Sequence, residues 1–473
     1  MSAKTDVNAL ANKHFLVEEL FVGAFDLLKL HQFNPQAFPF LLESVAQSKN
    51  FSQQEDLDSE NRFDILFAYP QETLELTEVA GGERFVETCR QIFAELSIPS
   101  SGVDLPFTGG WFAYFSYDYA EVVEPSLTLP KQKYDNALPL ATIVRIPSAF
   151  IYDRQQQQLL AITESGFESH IEAMKQAFVS CQHQPLTLKS FEVLSESEEP
   201  EAKYLEGIDK IKEYILSGDV FQVNLSREWQ VSLSTDDTVS VYAALREQNP
   251  APFSALVDFA DWQVISSSPE LLVRYRSPWV ETRPIAGTRK RGDDLDKDIA
   301  LIKELRHHPK EIAEHVMLID LERNDLGRIC QAGSVEVNEL MAIESYEHVH
   351  HIVSNIRGML NKNVSPLEVV HATFPGGTIT GCPKVRCMEI IAELEAMPRL
   401  AYTGSLGYIN RDGSLDLNIL IRTMLKQGPE IRFRAGAGIV ADSIAEKELM
   451  EARQKAKGLV KALQSGTDLG AGS

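Results

Sequence analysis

Glycine punctuation is the feature that most narrows what this chain can fold into. From Tyr204 onward, short β-branched runs alternate with helical periods, and glycines separate them unusually densely. Such a pattern requires mixed strands and helices joined by tight turns. Leu205, Ile208, Ile211 and Ile215 recur at helical spacing up to Gly218-Asp219, and a strand is expected over Val220 to Leu225. In the first half, Ala141 to Ile151 and Leu159 to Ile162 are rich in β-branched and aliphatic residues, as strands are. The acidic run Ser195-Glu196-Ser197-Glu198-Glu199-Pro200-Glu201 is the clearest composition shift and predicts a solvated connection. It divides an N-terminal region, 1–195, from a second region, 204–462, and 463–473 reads as a frayed tail.

A length of 473 residues allows at most about three domain-sized units. Hydrophobic residues form 44% of the chain and charged ones 24%, which excludes disordered, collagen-like and fibrous classes. Lysine and arginine number 45 against 68 acidic residues, and a net charge of −23 repels phosphate backbones, so no nucleic-acid partner is expected. No stretch approaches the ~18 uncharged apolar residues of a spanning helix, and the N-terminal residues lack a basic segment followed by an apolar core. No membrane association is expected. Five scattered cysteines (Cys89, Cys181, Cys330, Cys382, Cys387) suit a reducing compartment, so the expectation is a cytoplasmic enzyme.

Gly436-Ala437-Gly438-Ile439-Val440-Ala441 formally matches the dinucleotide fingerprint and follows a strand-like run, Glu430 to Ala435. Only one further helix follows, so the second strand of a βαβ unit is missing. A strand-to-helix turn whose amides can hold an anion is expected instead. In the loop Pro375-Gly376-Gly377-Thr378-Ile379-Thr380-Gly381-Cys382-Pro383-Lys384, Cys382 and Pro383 separate the last glycine from the lysine, which disfavours a nucleotide cradle. A polar-substrate loop and a turn without function both remain open. His348, His350 and His351 lie on a strand-like run, without HExxH or paired CxxC motifs, so one buried functional histidine and two surface ones are expected rather than zinc.

The carboxylates are more informative. Glu311 and Glu314, in the segment Lys303 to Met317, share a helix face, as do Glu448 and Glu451 in the last helix, where Ser443 and Glu446 read as a capping box. Two such E-x-x-E pairs could grip a hard cation such as Mg²⁺, or could be solvated surface. Spacing alone does not bring the helices together.

Pro284-Ile285-Ala286-Gly287-Thr288-Arg289, Asp320-Leu321-Glu322-Arg323-Asn324-Asp325-Leu326-Gly327-Arg328, the 375–384 loop, Ile421-Arg422-Thr423 and Gly436 to Ser443 occur in order. Together they resemble the chorismate-utilising enzymes, which include component I of aminodeoxychorismate synthase and of anthranilate synthase. The strong match covers about 204–462, and Leu41-Leu42-Glu43-Ser44 and Gly109-Gly110 extend it weakly towards the N-terminus. The resemblance implies an α+β fold in which two large β-sheets pack face to face with helices outside. It implies a Mg²⁺ site with Glu314 and Glu451 as direct ligands and Glu311 and Glu448 close by. Tyr408, Arg422, the amides of Gly436, Ala437 and Gly438, and Lys455 would hold the carboxylates of chorismate. Glu270 would protonate the departing C4 hydroxyl, assisted by His351, and Thr380 would orient the ring or the nucleophile.

Within the family, Arg62-Phe63-Asp64-Ile65, Gly218 to Leu225, Phe374 to Gly381 and Leu417 to Arg422 look like aminodeoxychorismate synthase. That likeness implies amination of chorismate to 4-amino-4-deoxychorismate, on the route to para-aminobenzoate and folate. The ammonia would come from a separate glutamine amidotransferase subunit. Ala286 points the other way, because many aminodeoxychorismate synthases carry a nucleophilic lysine there and anthranilate synthases carry alanine. Anthranilate synthase is therefore the alternative, and a non-catalytic regulator binding chorismate or tryptophan is a more distant one. Leu41 to Ser44 resembles part of a tryptophan-binding element, which could equally be core packing.

Overall fold

A computed structural model describes residues 13–45, 62–100, 102–132, 137–292, 294–346 and 349–467. Among them the strands form two large sheets, of 12 and 10 strands. The reason for two sheets is visible in single strands. In Gly110–Phe115 every residue is buried, so both faces of the strand are covered. Phe112 and Tyr114 face a core shared with Phe40, Phe67, Ile162 and Val264 of the other sheet. Trp111, Ala113 and Phe115 face the opposite way, towards Phe85, Phe93, Ile319, Leu326 and Leu367 of the outer helices. The first sheet mirrors this: Phe40 and Phe67 point inwards, while Leu41 and Leu66 meet Phe178, Tyr242, Leu245 and Leu459 of its own helices. The layers run helix, sheet, sheet, helix, as expected.

The helix over the 205–215 period is Glu201–Leu216, and the strand behind it is Gln222–Leu233. The strands expected in the first half are Ala141–Ile146, Ser148–Asp153 and Gln158–Glu164. The acidic run is itself strand, Val193–Glu198, paired with Gln222–Leu233. Both sheets draw strands from either side of it: Phe40–Glu43 pairs with Phe253–Asp258, and Gly110–Phe115 with Ser405–Asn410.

Two local expectations are corrected. Gly436 to Gly438 do not form a turn; they continue the strand Glu430–Ile439, where Gly436 opposes Ser226. A side chain at Gly436 would run into the carbonyl of Leu225, so glycine there permits close strand approach. The capping box of the last helix, Ala445–Gln464, is not formed, because the Ser443 hydroxyl accepts from the Val440 amide instead.

The two segments that later carry the site are tied together by a buried ion cluster. Glu395 accepts from Arg399 (2.7 and 2.9 Å) and from the Ser226 amide and hydroxyl (2.9 and 2.8 Å), and pairs with Arg434 at 3.2 Å. Arg399 also donates to the carbonyls of Asn224 and Ile379. Although burial opposes ionisation, Arg399 and Arg434 hold the Glu395 carboxyl down at about 2, against an ordinary 4.5. Its stabilisation is therefore present above pH 4.5 and lost as pH falls towards about 2. Glu395→Gln should cost ~3–5 kcal/mol at neutral pH, because it strands two buried guanidiniums. Denaturant titrations of both proteins should show that gap closing between pH 4.5 and 2.

Candidate active site

Strand ends and one turn build the site. Ser268-Pro269-Glu270 leaves strand Gln263–Ser268, and the turn is clamped to the chain before Arg422: the Ile419 amide donates to the Glu270 carbonyl at 3.0 Å, and the Ser268 hydroxyl donates to the Ile419 carbonyl. The Glu270 side chain is only 4% exposed. Burial pushes its carboxyl up to about 7 despite the Ile285 amide, the Thr378 hydroxyl, Arg422 and Lys455, all of which favour the anion. Glu270 Oε1 and Thr378 Oγ1 are both buried without a hydrogen-bond partner among the described residues.

Arg422 lies where the strand Thr423–Gln427 begins, with φ of +51°. That strand pairs with Glu430–Ile439 only as far as Phe433. From Arg434 to Ile439 the longer strand keeps one paired edge, against Gln222–Leu233. Amides of an antiparallel strand alternate in direction, so part of the Gly436–Gly438 backbone faces the notch that Arg422 opens. Among the described residues no side chain hydrogen-bonds the Arg422 guanidinium, and burial lowers its pKa despite the attraction of Glu270. A guanidinium held in such a notch is a ready carboxylate receptor.

The Lys455 ammonium closes the notch, donating to the Gly436 carbonyl at 3.0 Å and pairing with Glu451 at 2.9 Å. Its side chain keeps 43% of its exposure, as on the wall of an open cleft. His351, on strand Val349–Met359, is buried and exchanges a 2.8 Å hydrogen bond through Nδ1 with the Thr288 hydroxyl. Burial, with Arg422 nearby, pushes its pKa down to about 3, so the imidazole is neutral at physiological pH.

The carboxylate pairs come from two helices. Pro309–Gly327 starts only after a break at His308, so the segment Lys303 to Met317 is two helices rather than one. Glu311 bonds Arg289 at 3.1 Å and abuts Gly287, while Glu314 accepts from Gln222 at 2.8 Å and abuts Gly438. On the last helix Glu448 is buried, and Glu451 is the partner of Lys455. Glu314 meets Gly438 directly, whereas Glu451 is linked to Gly436 only through Lys455; the hard oxygens of both suit Mg²⁺. Among the described residues no three His, Cys, Asp or Glu side chains converge, and each of Glu311, Glu314 and Glu451 rests on a protein donor.

Three expected residues lie elsewhere or behave differently. Tyr408 does not join Arg422. It lines a separate cavity of about 70 Å³ with Glu43, Ser44, Arg274 and Asp416, and interacts with Arg276. That volume is far below the ~300–1,000 Å³ of small-molecule sites, so it has no room for an indole as it stands. The tyrosine that feels Lys455 is Tyr402, stacked near Arg399 in the loop before strand Ser405–Asn410. The Thr380 hydroxyl is spent on the Gly376 carbonyl at 2.9 Å, whereas Thr378 faces Glu270. No periodicity marks Tyr402 or Thr378. His350 is not on the surface: it is buried and bonded to Asp298 and Ser345, and His348 lies outside the described residues.

A Bacillus subtilis protein named aminodeoxychorismate synthase component 1 is 44% identical over 371 residues, 76% of this chain and 77% of that one. Anthranilate synthase component 1 of Acetivibrio thermocellus is 36% identical over 464 residues, 93% of this chain and 92% of that one. The crystal structure of anthranilate synthase component I from Streptococcus pneumoniae superposes with a TM-score of 0.74 at 29% identity, covering 84% of this chain and 92% of that one. The isochorismate synthase MenF of Escherichia coli shares the fold, with a TM-score of 0.69 at 19% identity over 97% and 98% of the two chains. The family model described as chorismate binding enzyme matches residues 43–461, a span that includes Glu270, His351, Arg422 and Lys455, and the chain belongs to that family.

Proposed function

We propose that this protein aminates chorismate with ammonia to 4-amino-4-deoxychorismate, the ammonia being supplied by a separate glutamine amidotransferase subunit. The observation that carries a chorismate site is the Arg422 guanidinium, unmatched among the described residues, facing a buried carboxyl and a lysine. A ring carboxylate takes the fork of Arg422 and the free edge of Gly436–Gly438, with Lys455 beside it. Glu270 then faces the C4 hydroxyl. Hydroxide leaves poorly, and a carboxyl held neutral to about pH 7 can donate its proton as the C–O bond breaks. His351 hydrogen-bonds at the same place without carrying charge. Glu314 and Glu451, with Glu311 and Glu448 close by, would hold Mg²⁺, which supplies positive charge for the substrate carboxylate when bound. The 44% identity to the Bacillus subtilis protein named aminodeoxychorismate synthase component 1 supports this product.

Ala286 favours the second reading, anthranilate synthesis. It is buried on strand Ile285–Lys290, beside the amide that reaches Glu270, and it offers no nucleophile. Under either reading ammonia attacks the ring directly.

Three tests follow from this. With chorismate, Mg²⁺ and ammonium, pyruvate and 4-aminobenzoate should appear only after an added lyase. Stoichiometric pyruvate with fluorescent anthranilate and no lyase would select the second reading instead, and glutamine should not replace ammonium for the isolated chain. At constant free ammonia, turnover should be flat below pH 7 and fall about tenfold per unit above it, as the Glu270 carboxyl ionises. Glu314→Gln or Glu451→Gln should each cut turnover about 100-fold, ~2.7 kcal/mol of transition-state stabilisation, with an unchanged melting curve. Near-wild-type turnover by either variant would remove the metal assignment.

A further inference from the structure

A second buried carboxyl lies near enough to Glu270 to feel its charge. Glu322 sits two-thirds of the way along helix Pro309–Gly327 and is 6% exposed. Its Oε1 lies 3.3 Å from where a side chain at Gly377 would begin, directly under the loop that carries Thr378. The hydroxyl of Thr282, on strand Trp279–Arg283, approaches it from the second sheet. Glu270, Asp325 and Lys384 complete its electrostatic surroundings.

Three polar atoms here are buried without a hydrogen-bond partner among the described residues: Glu270 Oε1, Thr378 Oγ1 and Thr282 Oγ1. Buried polar atoms are normally satisfied, and three orphans grouped around two carboxyls need a reason. One turn beyond Glu322, Asp325 pairs with Lys384, which also donates to the Thr373 carbonyl, and with Arg328. Asp325 and Lys384 line a cavity of about 1150 Å³ on the outer side of this helix, together with Phe221, Val316 and Met317. Glu322 thus has among its charged neighbours both Asp325 and Lys384, which border the outer groove, and Glu270, the proposed acid.

Resting on the reading of Glu270 as the acid, we propose that Glu322 reloads it with a proton in each turnover, fed from the outer groove past the Asp325–Lys384 pair. The protons balance. Glu270 gives its proton to the C4 oxygen, which leaves as water, and becomes a carboxylate. The ammonia lone pair forms the C–N bond, and the resulting ammonium group releases one proton to solvent. Glu322 passes its proton to Glu270 through Thr282 or Thr378, each hydroxyl accepting one proton and giving up another, and regains one from the groove. Burial beside Asp325 and Glu270, against the pull of Lys384, pushes the Glu322 carboxyl up, so it has a proton to deliver at neutral pH.

The experiment compares single-turnover with steady-state rates of the full chain given chorismate, ammonium and Mg²⁺. It uses Glu322→Gln, Thr282→Val and Glu270→Gln, each checked for a wild-type melting curve. Starting with Glu270 protonated, Glu322→Gln should keep its single-turnover rate within about twofold. Its steady-state rate should fall about tenfold and acquire a solvent deuterium isotope effect, and formate should restore it. Equal loss in both regimes, or no steady-state loss, would overturn the relay. Should Glu322→Gln fail to fold, Thr282→Val decides on the same criteria. Glu270→Gln separates the two ideas: if it retains single-turnover cleavage, the acid assignment itself fails, whereas its loss alongside an unaffected Glu322→Gln condemns only the relay.

Discussion

Everything at the cleft depends on one carboxylate that water does not reach. Glu395 ends its helix between two guanidiniums, and through Arg399 it fastens the carbonyls of Asn224 and Ile379. Asn224 belongs to the strand that pairs with Gly436–Gly438, and Ile379 to the glycine loop that presents Thr378. Arg434, the third member, sits where the Glu430–Ile439 strand loses its second neighbour. Desolvating three charges is costly, and a hydrophobic replacement could pack as well. What the cluster adds is geometry, because each fork bonds specified oxygens and so registers three chain segments against one another.

Strands were legible in dense apolar runs such as Ala141 to Ile151, because both of their faces are buried, whereas the layered arrangement came from the family resemblance. Glu270, His351, Arg422 and Lys455 were named by the family resemblance alone; in the fold Glu270 senses Arg422 and Lys455, and His351 senses Arg422. The failures share a cause. In the 375–384 loop two threonines stand two residues apart in a tight turn, and only the coordinates show that Thr380 is consumed by Gly376 while Thr378 faces the acid. Tyr402 and Tyr408 stand at opposite ends of one short segment, and burial of the second among Phe67 and Phe107 is a tertiary outcome. The glycines at 436–438 read as a turn because glycine usually marks one, whereas here a neighbouring backbone needed the space.

The charge distribution explains how a chain of net charge −23 can receive an anion. Arg422 and Lys455 are concentrated at the notch, and low-dielectric walls strengthen their field locally although the distant surface is repulsive. The same walls act oppositely on carboxyls, keeping Glu270 protonated far above the usual range. A cleft of this kind attracts carboxylates while retaining an uncharged acid within it.

Arg422 has a second role that its charge does not describe. Its left-handed backbone, at φ +51°, is a conformation that costs a non-glycine residue roughly 1–2 kcal/mol, and it stands where the strand Thr423–Gln427 would otherwise extend. Extended by a few residues, that strand would zip against Arg434–Ile439 and turn the open edge into ordinary sheet. The arginine is therefore a strand terminator as well as a receptor. Glycine would keep the bend and lose the cation, while lysine would keep a cation and the strain but lose the fork, so evolution at this position has few single-step alternatives.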